Sequence, residues 1–384
     1  MTSFLHGVEV LQIDSGPRTI QTVASAVIGV VGTAPNADAA KFPVNTPVLI
    51  AGTRTEAAGL GTSGTLPDAI DGIFDQTGAV VVVVRVEEGA DEAATTSNII
   101  GGVDAKGAYT GVHVLLNAQS VTGQTPKILI VPGHSATQAV AAEMEGITDR
   151  LKACFLFDGP NTTDAKAITY RDKFGSKRFY ICDPWVRVWD TETSAEVVRP
   201  NSPRVAGRMA KTDNERGFWW SPSNNTIGGI VGTARPIDFA LGDPNCRANL
   251  LNASDVATII QQDGFRLWGN RTCSADPKWA FLSVVRTADL INESIQRGHF
   301  WAIDRNITKT YIEDVVESVN NYIRSLVQQG ALLGGKCWAD PELNTPDQLE
   351  AGRVYFDVEF TPPTPAERIT FRSHLVNDYF SEVV

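Results

Sequence analysis

Asp158 and Asp183 are the residues best placed for chemistry in this sequence of 384 residues. Each follows a short apolar run, 153–157 and 179–182, of the kind expected for a buried strand. In a parallel sheet flanked by helices, ligands and metals gather at the carboxyl ends of the strands. Two carboxylates there could hold a divalent cation, so a metal-dependent α/β enzyme is one reading. The opposing reading is turn chemistry, since Asp158-Gly-Pro and Asp183-Pro make ordinary strand exits. The pair has no third carboxylate or phosphate-binding loop nearby, and the turn reading outweighs the metal one.

Other motifs are weaker still. His134-Ser135 suggests a base beside a nucleophile, but Ser135-x-x-Gln138 reads as a capping box for the helix that follows. Gly59-Leu-Gly61-Thr-Ser-Gly64 matches the dinucleotide fingerprint in letters only. A short helical stretch precedes it, where the fingerprint needs a strand. It reads as a plain loop. The histidines (6, 113, 134, 299, 374) and cysteines (154, 182, 246, 273, 337) show no metal spacing. Widely spaced cysteines in odd number point to reduced thiols folded in a cytosol, with Cys154 and Cys182 in the core. The expectation is therefore no enzyme, no catalytic residue, no metal and no cofactor.

The elements that position these residues fall into two modules. Runs at 26–31, 80–86, 128–132, 153–157 and 179–182 alternate with helix patterns at 66–76, 135–151 and 162–174. That alternation predicts an α/β module with a mostly parallel sheet, placed at 21–245. The unbroken β-branched run at 80–84 suits a strand buried on both sides. A hairpin is expected from 185–190 and 195–199. Residues 246–366 predict an α+β module. Its clearest helix, about 310–329, carries an i, i+3, i+4 stripe, with Thr310-x-x-Glu313 as capping box and Gly330 as stop. A helix from about 287 to 297 precedes it, and 279–286 could be strand or helix. Ala331–Trp338 and the alternating Val354, Phe356, Val358 and Phe360 predict strands.

Each end carries a lone strand beyond a hinge. Val8, Val10 and Ile13 lie in a strand pattern within an arm at 1–20, set off by Gly16 and Pro17. Ile369, Phe371 and Leu375 lie in an arm at 367–384, set off by Pro362, Pro363 and Pro365. A single strand leaves its own N–H and C=O groups unpaired. It must add to an exposed sheet edge, and on another molecule that is β-augmentation.

Composition narrows the class. Hydrophobic residues are 43% and charged residues 20%, enough for real cores. The 33 basic and 44 acidic residues leave a net charge of −11, which argues against nucleic acid and against anionic membrane surfaces. No window of about 18 apolar residues is present, and the amino terminus lacks the pattern of a secretion signal. Self-repulsion at this charge makes assembly sensitive to salt.

These segments resemble the contractile tail sheath proteins of myovirus-like phages, and most closely the sheaths of R-type pyocin (tailocin) particles. The resemblance runs through His6-Gly-Val8, Val131-Pro-Gly-His-Ser135, Asp158-Gly-Pro-Asn161, Phe174-Gly-Ser-Lys-Arg178, Ser221-Pro-Ser-Asn224 and Cys246-Arg-Ala-Asn-Leu-Leu-Asn252. It is most specific at Gly264-Phe-Arg-Leu-Trp-Gly-Asn-Arg-Thr272, followed by Trp279-Ala-Phe and Val285-Arg-Thr287, and Trp301-Ala-Ile-Asp-Arg-Asn-Ile-Thr-Lys-Thr-Tyr311 then leads into the long helix. It implies a structural subunit, in a virion tail or tailocin particle assembled in the host cytoplasm. Subunits would stack as six-fold rings around a tail tube, with baseplate and tail terminator proteins as further partners. The α/β module would lie outside and the α+β module inside, facing the tube. The terminal arms would add strands to neighbouring subunits. Under that reading Val354, Phe356, Val358 and Phe360 form the acceptor strand. Arg286, Arg297, Arg305, Lys309 and Arg324 are candidate tube-facing bases. The resemblance also favours a strand at 279–286.

Overall fold

The computed structural model describes residues 19–191 and 193–379. From the amino end run β1 (Ile28–Thr33), β2 (Pro47–Ala51), α1 (Arg54–Ala57), α2 (Thr65–Phe74) and β3 (Val80–Val86). Then come α3 (Glu92–Ile100), the short pair β4 (Gly102–Val103) and β5 (Tyr109–Thr110), α4 (Ala118–Thr122) and β6 (Ile128–Ile130). The middle holds α5 (Gln138–Leu151), β7 (Cys154–Asp158), α6 (Asp164–Arg171), β8 (Phe179–Cys182), β9 (Val186–Asp190), β10 (Ala195–Arg199) and α7 (Ser202–Arg216). After β11 (Gly232–Thr233) follow α8 (Arg247–Ala253), β12 (Val256–Gln261), β13 (Phe265–Trp268) and α9 (Leu282–Gly298). The chain closes with α10 (Lys309–Gln328), β14 (Gly334–Ala339), α11 (Pro346–Glu350) and β15 (Phe356–Thr361).

The main sheet has eight strands in the order β13-β12-β8-β7-β6-β1-β3-β2. Its six central strands are parallel. The edge strands β2 and β13 are antiparallel to their neighbours. Strand β3 shows why the expected lack of polar alternation holds. Val81 and Val83 enter one core with α2 and α7, while Val84 and Val86 enter the other with α3, α5 and α6. The expected hairpin is present, with β9 antiparallel to β10 and joined by β11.

A third core gathers α9, α10, β14 and β15. The capping box expected at Thr310 is corrected: the cap is Thr308, whose hydroxyl accepts from the Tyr311 N–H at 3.1 Å. Glu313 instead pairs with Lys309 at 3.7 Å. Gly330 stops α10 as expected, at φ +79°, and the Ala331 N–H closes the end by donating to the Leu326 carbonyl at 2.9 Å.

Two further expectations are corrected. The segment 279–286 is no strand, because α9 begins at Leu282. Its first turns, Leu282–Ala288, are buried on every side, which erases the helical period that would have identified them. The sheet also does not end at residue 245, since β12 pairs in parallel with β8 and carries β13 at its far edge. At the other end Ile20 and Val23 pack in the third core, with the Val23 N–H donating to Ser294 Oγ at 3.1 Å.

Candidate subunit-linking site

Asp158 and Asp183 do lie side by side at the carboxyl edge of the sheet, on β7 and just past β8. Their own chain occupies them. Asp158 is fully buried; it accepts from the Ser202 N–H at 2.8 Å, Ser202 Oγ at 2.6 Å and Ser135 Oγ at 3.0 Å. Burial raises its carboxyl to about 6, against the opposing pull of these donors. Asp183 accepts from Arg235 Nη2 at 2.6 Å and from the Asn161 N–H at 2.8 Å. Burial raises it as well, with Arg235 opposing.

The surrounding groups continue this stitching. Asp164 accepts from Arg235 Nη2 at 2.7 Å and from Arg247 Nε at 2.8 Å, and these bonds hold its carboxyl below the usual range. The Trp185 indole N–H donates to the Gly159 carbonyl at 3.0 Å. A side chain on Gly159 would approach Asp183 to 2.6 Å, so only glycine admits this packing. Among the described residues no group of three or more His, Cys, Asp or Glu could hold a metal ion. Sequence reasoning missed Asp164, Arg235 and Arg247, which meet only through the fold.

The other chemical motifs are also absorbed. Ser135 does not cap α5, which follows Thr137 without a side-chain cap; its hydroxyl is spent on Asp158. His134 is held below its usual range by burial. At the glycine motif, Gly64 sits at φ +94° where a Cβ would fall 2.4 Å from the Thr33 carbonyl oxygen. This close approach lets Thr33 Oγ1 accept from the Thr65 N–H at 3.3 Å, filling the helix start that a phosphate would need. All five cysteines are free and buried.

The five candidate bases separate. Arg286 is corrected: it is 5% exposed and grips Asp213 at 2.8 and 2.5 Å, so it cannot face a partner. It belongs to a polar face of α9, in which Asp289 pairs with Arg178 at 2.7 Å and Glu293 with Lys127. Residues 286, 289 and 293 share one side of a helix. Ile291 and Ile295, on the other, pack in the third core. Thus α9 ties the main sheet to the third core. Arg297, Arg305, Lys309 and Arg324 remain near the surface; the first three are in loose contact with Glu293, Trp301 and Glu313, and Arg324 pairs with Glu317 at 2.6 Å.

The small sheet has a free edge at β15. Strands β14 and β15 form a two-stranded antiparallel sheet, with Cys337 opposite Val358. The Cys337 N–H and C=O turn away from β15 and are both taken by Asn320, at 2.8 and 3.0 Å. Antiparallel pairing alternates, so Phe356, Val358 and Phe360 likewise point their N–H and C=O groups away from β14. No strand among the described residues covers that edge. Val354 lies just before the strand, which starts at Phe356.

The carboxyl arm begins where β15 ends. Pro362, Pro363 and Pro365 follow Thr361 at once, and Glu367 is then clamped by Arg271 at 2.7 and 2.6 Å. Beyond the clamp 368–377 forms no regular element, and Ile369, Phe371 and Leu375 are 70%, 90% and 104% exposed. Val8, Val10, Ile13, Gly16 and Pro17 lie outside the described residues.

Comparison with known proteins agrees throughout the chain. Residues 107–273 match the phage tail sheath protein central domain, 274–375 the phage tail sheath C-terminal domain, and 25–86 the tail sheath protein Gp18 domain III N-terminal region. A protein described as a prophage major tail sheath protein, from Pseudomonas aeruginosa strain UCBPP-PA14, is 47% identical, covering 100% of this chain and 99% of its own. The tail sheath protein of Escherichia phage P2 is 38% identical, with 100% and 98% covered. The fold matches the sheath of an extracellular contractile injection system (PVC) in its contracted state. The TM-score is 0.72 at 19% identity, with 98% of this chain and 99% of that one covered. It matches the contracted helical sheath of the anti-feeding prophage equally, at 20% identity and with 97% and 99% covered.

Proposed function

The chain belongs to the phage tail sheath family, and on that premise we propose that it is the repeating subunit of a contractile sheath, stacked in six-fold rings around a tail tube. Contraction of the stack drives the tube through the target envelope. The observation that carries the reading is the open edge of β15 in a chain whose carboxyl arm exposes Ile369, Phe371 and Leu375. An exposed apolar segment and a sheet edge with no cover complete each other when copies assemble. Such contacts are heterologous, and repeated without closing they build a helix.

The remaining roles follow from the same premise. The main-sheet module lies outside and the α9–α10 module faces the tube, where Arg297, Arg305, Lys309 and Arg324 offer positive charge. The amino arm links a second neighbour. The prolines at 362, 363 and 365 let the carboxyl arm swing while its pairing stays intact. Stored packing energy, rather than catalysis, powers the movement, so the subunit is no enzyme. The tube, the baseplate and a tail terminator are its partners, and it assembles in the host cytoplasm. The metal-enzyme alternative has no support, since both its aspartates are occupied internally.

Electron microscopy of the purified full-length chain tests this reading. Rings or tubes are expected, and loss of residues 1–16 or 367–384 should abolish them. Polymers that survive both deletions would refute the arm mechanism.

A further inference from the structure

Residues 19–27 lead into β1 and form no helix or strand, yet they are fastened along their length. Ile20 and Val23 are 5% and 8% exposed and pack in the third core. The Val23 N–H donates to Ser294 Oγ at 3.1 Å, and that hydroxyl donates in turn to the Leu290 carbonyl at 2.6 Å. Arg286 Nη2 donates to the Ser25 carbonyl at 3.3 Å. Thr22 Oγ1 lies 2.9 Å from the Tyr322 hydroxyl on α10. Gly298 makes room for Ile20, since a Cβ there would fall 2.8 Å from Ile20 Cγ1. Residues 20, 23 and 25 thus meet positions 298, 294 and 286 in turn, so the segment runs antiparallel to α9. Those helix positions span about 18 Å at 1.5 Å per residue. Only at Val27 does the chain reach the main sheet, where its carbonyl accepts from the Lys127 and Ile128 N–H groups at 2.8 and 3.1 Å. Strand β1 follows, buried at every residue between β3 and β6.

We propose that residues 19–27 are a strap that carries tension: a pull on the amino end passes into α9 and the third core before it reaches β1. The proposal rests on the sheath reading, in which the amino arm links a neighbour, and adds where inside the subunit that link is anchored. Contacts spread along α9 share a load. A slack segment would deliver it whole to β1, the strand on which the two flanks of the main sheet meet. At the other end of the chain β15, which leads to the carboxyl arm, packs Phe356, Val358 and Phe360 against the same third core. Both ends of the chain therefore bear on one core, and the main sheet lies off the line between them. It is carried along through the pairs of Asp289 with Arg178 and Glu293 with Lys127.

Force spectroscopy of the full-length monomer tests the strap without requiring assembly. Handles are placed at Thr19→Cys and, on α6, at Lys166→Cys; both positions are exposed, and the native thiols are buried. Ile20→Ala with Val23→Ala should lower the first rupture force to about half of the wild-type value or less, because forced opening follows the barrier of the loaded contacts. Ser294→Ala with Thr22→Val removes hydrogen bonds alone and should shift the force in the same direction, which keeps the test open if the first pair does not fold. Met144→Ala, in the core beneath α5, lowers overall stability and should leave the first rupture unchanged. Equal rupture forces in wild type and both strap variants would show that the load reaches β1 directly, and would overturn the proposal. A loss in Met144→Ala as large as in the strap variants would overturn it too, since the force would then report overall stability. A wild-type chain that forms no rings or tubes would count against the sheath reading, while the force measurement decides the strap by itself.

Discussion

The carboxyl edge of the main sheet and the outer edge of β15 are both places where a protein can receive a partner, and they are finished in opposite ways. At the first, Asp158, Asp164 and Asp183 are each held by two or more donors from their own chain. At the second, the backbone groups of Phe356, Val358 and Phe360 have no strand to meet, and a cleft lies beneath them. The site that looks enzymatic in the sequence is closed by internal stitching. The site that looks ordinary is open. Position at a strand end is thus weaker evidence of function than an unsatisfied group, because every buried polar group must find a partner somewhere.

The comparison can be broken first on its closed side. Arg286→Met should destabilise the chain by about 3–5 kcal/mol in urea unfolding, because it leaves Asp213 buried without its cation. Replacing both, Arg286→Met with Asp213→Leu, should recover most of that loss. A small effect of the single change would mean that α9 is not riveted by this pair.

Asp158 sharpens the same side through pH. Its carboxyl is raised by burial to about 6, above the unfolded value near 3.9, so the folded state holds the proton more tightly. The stabilisation is complete below about pH 4 and is lost as pH climbs through about 6, up to roughly 3 kcal/mol in all. Asp158→Asn keeps an acceptor for the Ser202 N–H and should flatten this slope between pH 4 and 6. Wild type and variant with parallel stability profiles would contradict the account.

A smaller effect is expected at the root of the arm. Glu367→Gln breaks the exposed clamp to Arg271 and should cost less than about 1 kcal/mol of monomer stability. Its consequence should appear in assembly instead, as a changed rate of polymer growth measured by light scattering. A large loss of monomer stability would place Glu367 in the core and not in a hinge.

Much of this was readable from the residues. The valine run at 80–84 and the stripe of α10 identify their elements, because burial on both faces leaves an unbroken β-branched run and burial on one face leaves a helical period. What was not readable depends on meetings across the chain. Ser135 reads as a cap until Asp158, 23 positions away, takes its hydroxyl. Arg286 reads as a surface base, although the i, i+3, i+7 spacing of Arg286, Asp289 and Glu293 was a visible sign of a charged helix face with a partner. The boundary at 245 fails because the pairing of β12 with β8 joins residues more than seventy positions apart. The free edge of β15 follows from the same kind of long-range fact, namely that nothing else in the described chain pairs with it.

The most direct measurement uses Val358→Pro. Proline removes one N–H, the one that β14 does not use, so the change is of the kind tolerated on an edge strand. Electron microscopy and sedimentation of the full-length variant should show a folded monomer, melting close to wild type, that forms neither rings nor tubes. Polymers of wild-type form and yield would show that subunits join without the edge of β15, and would contradict the central claim.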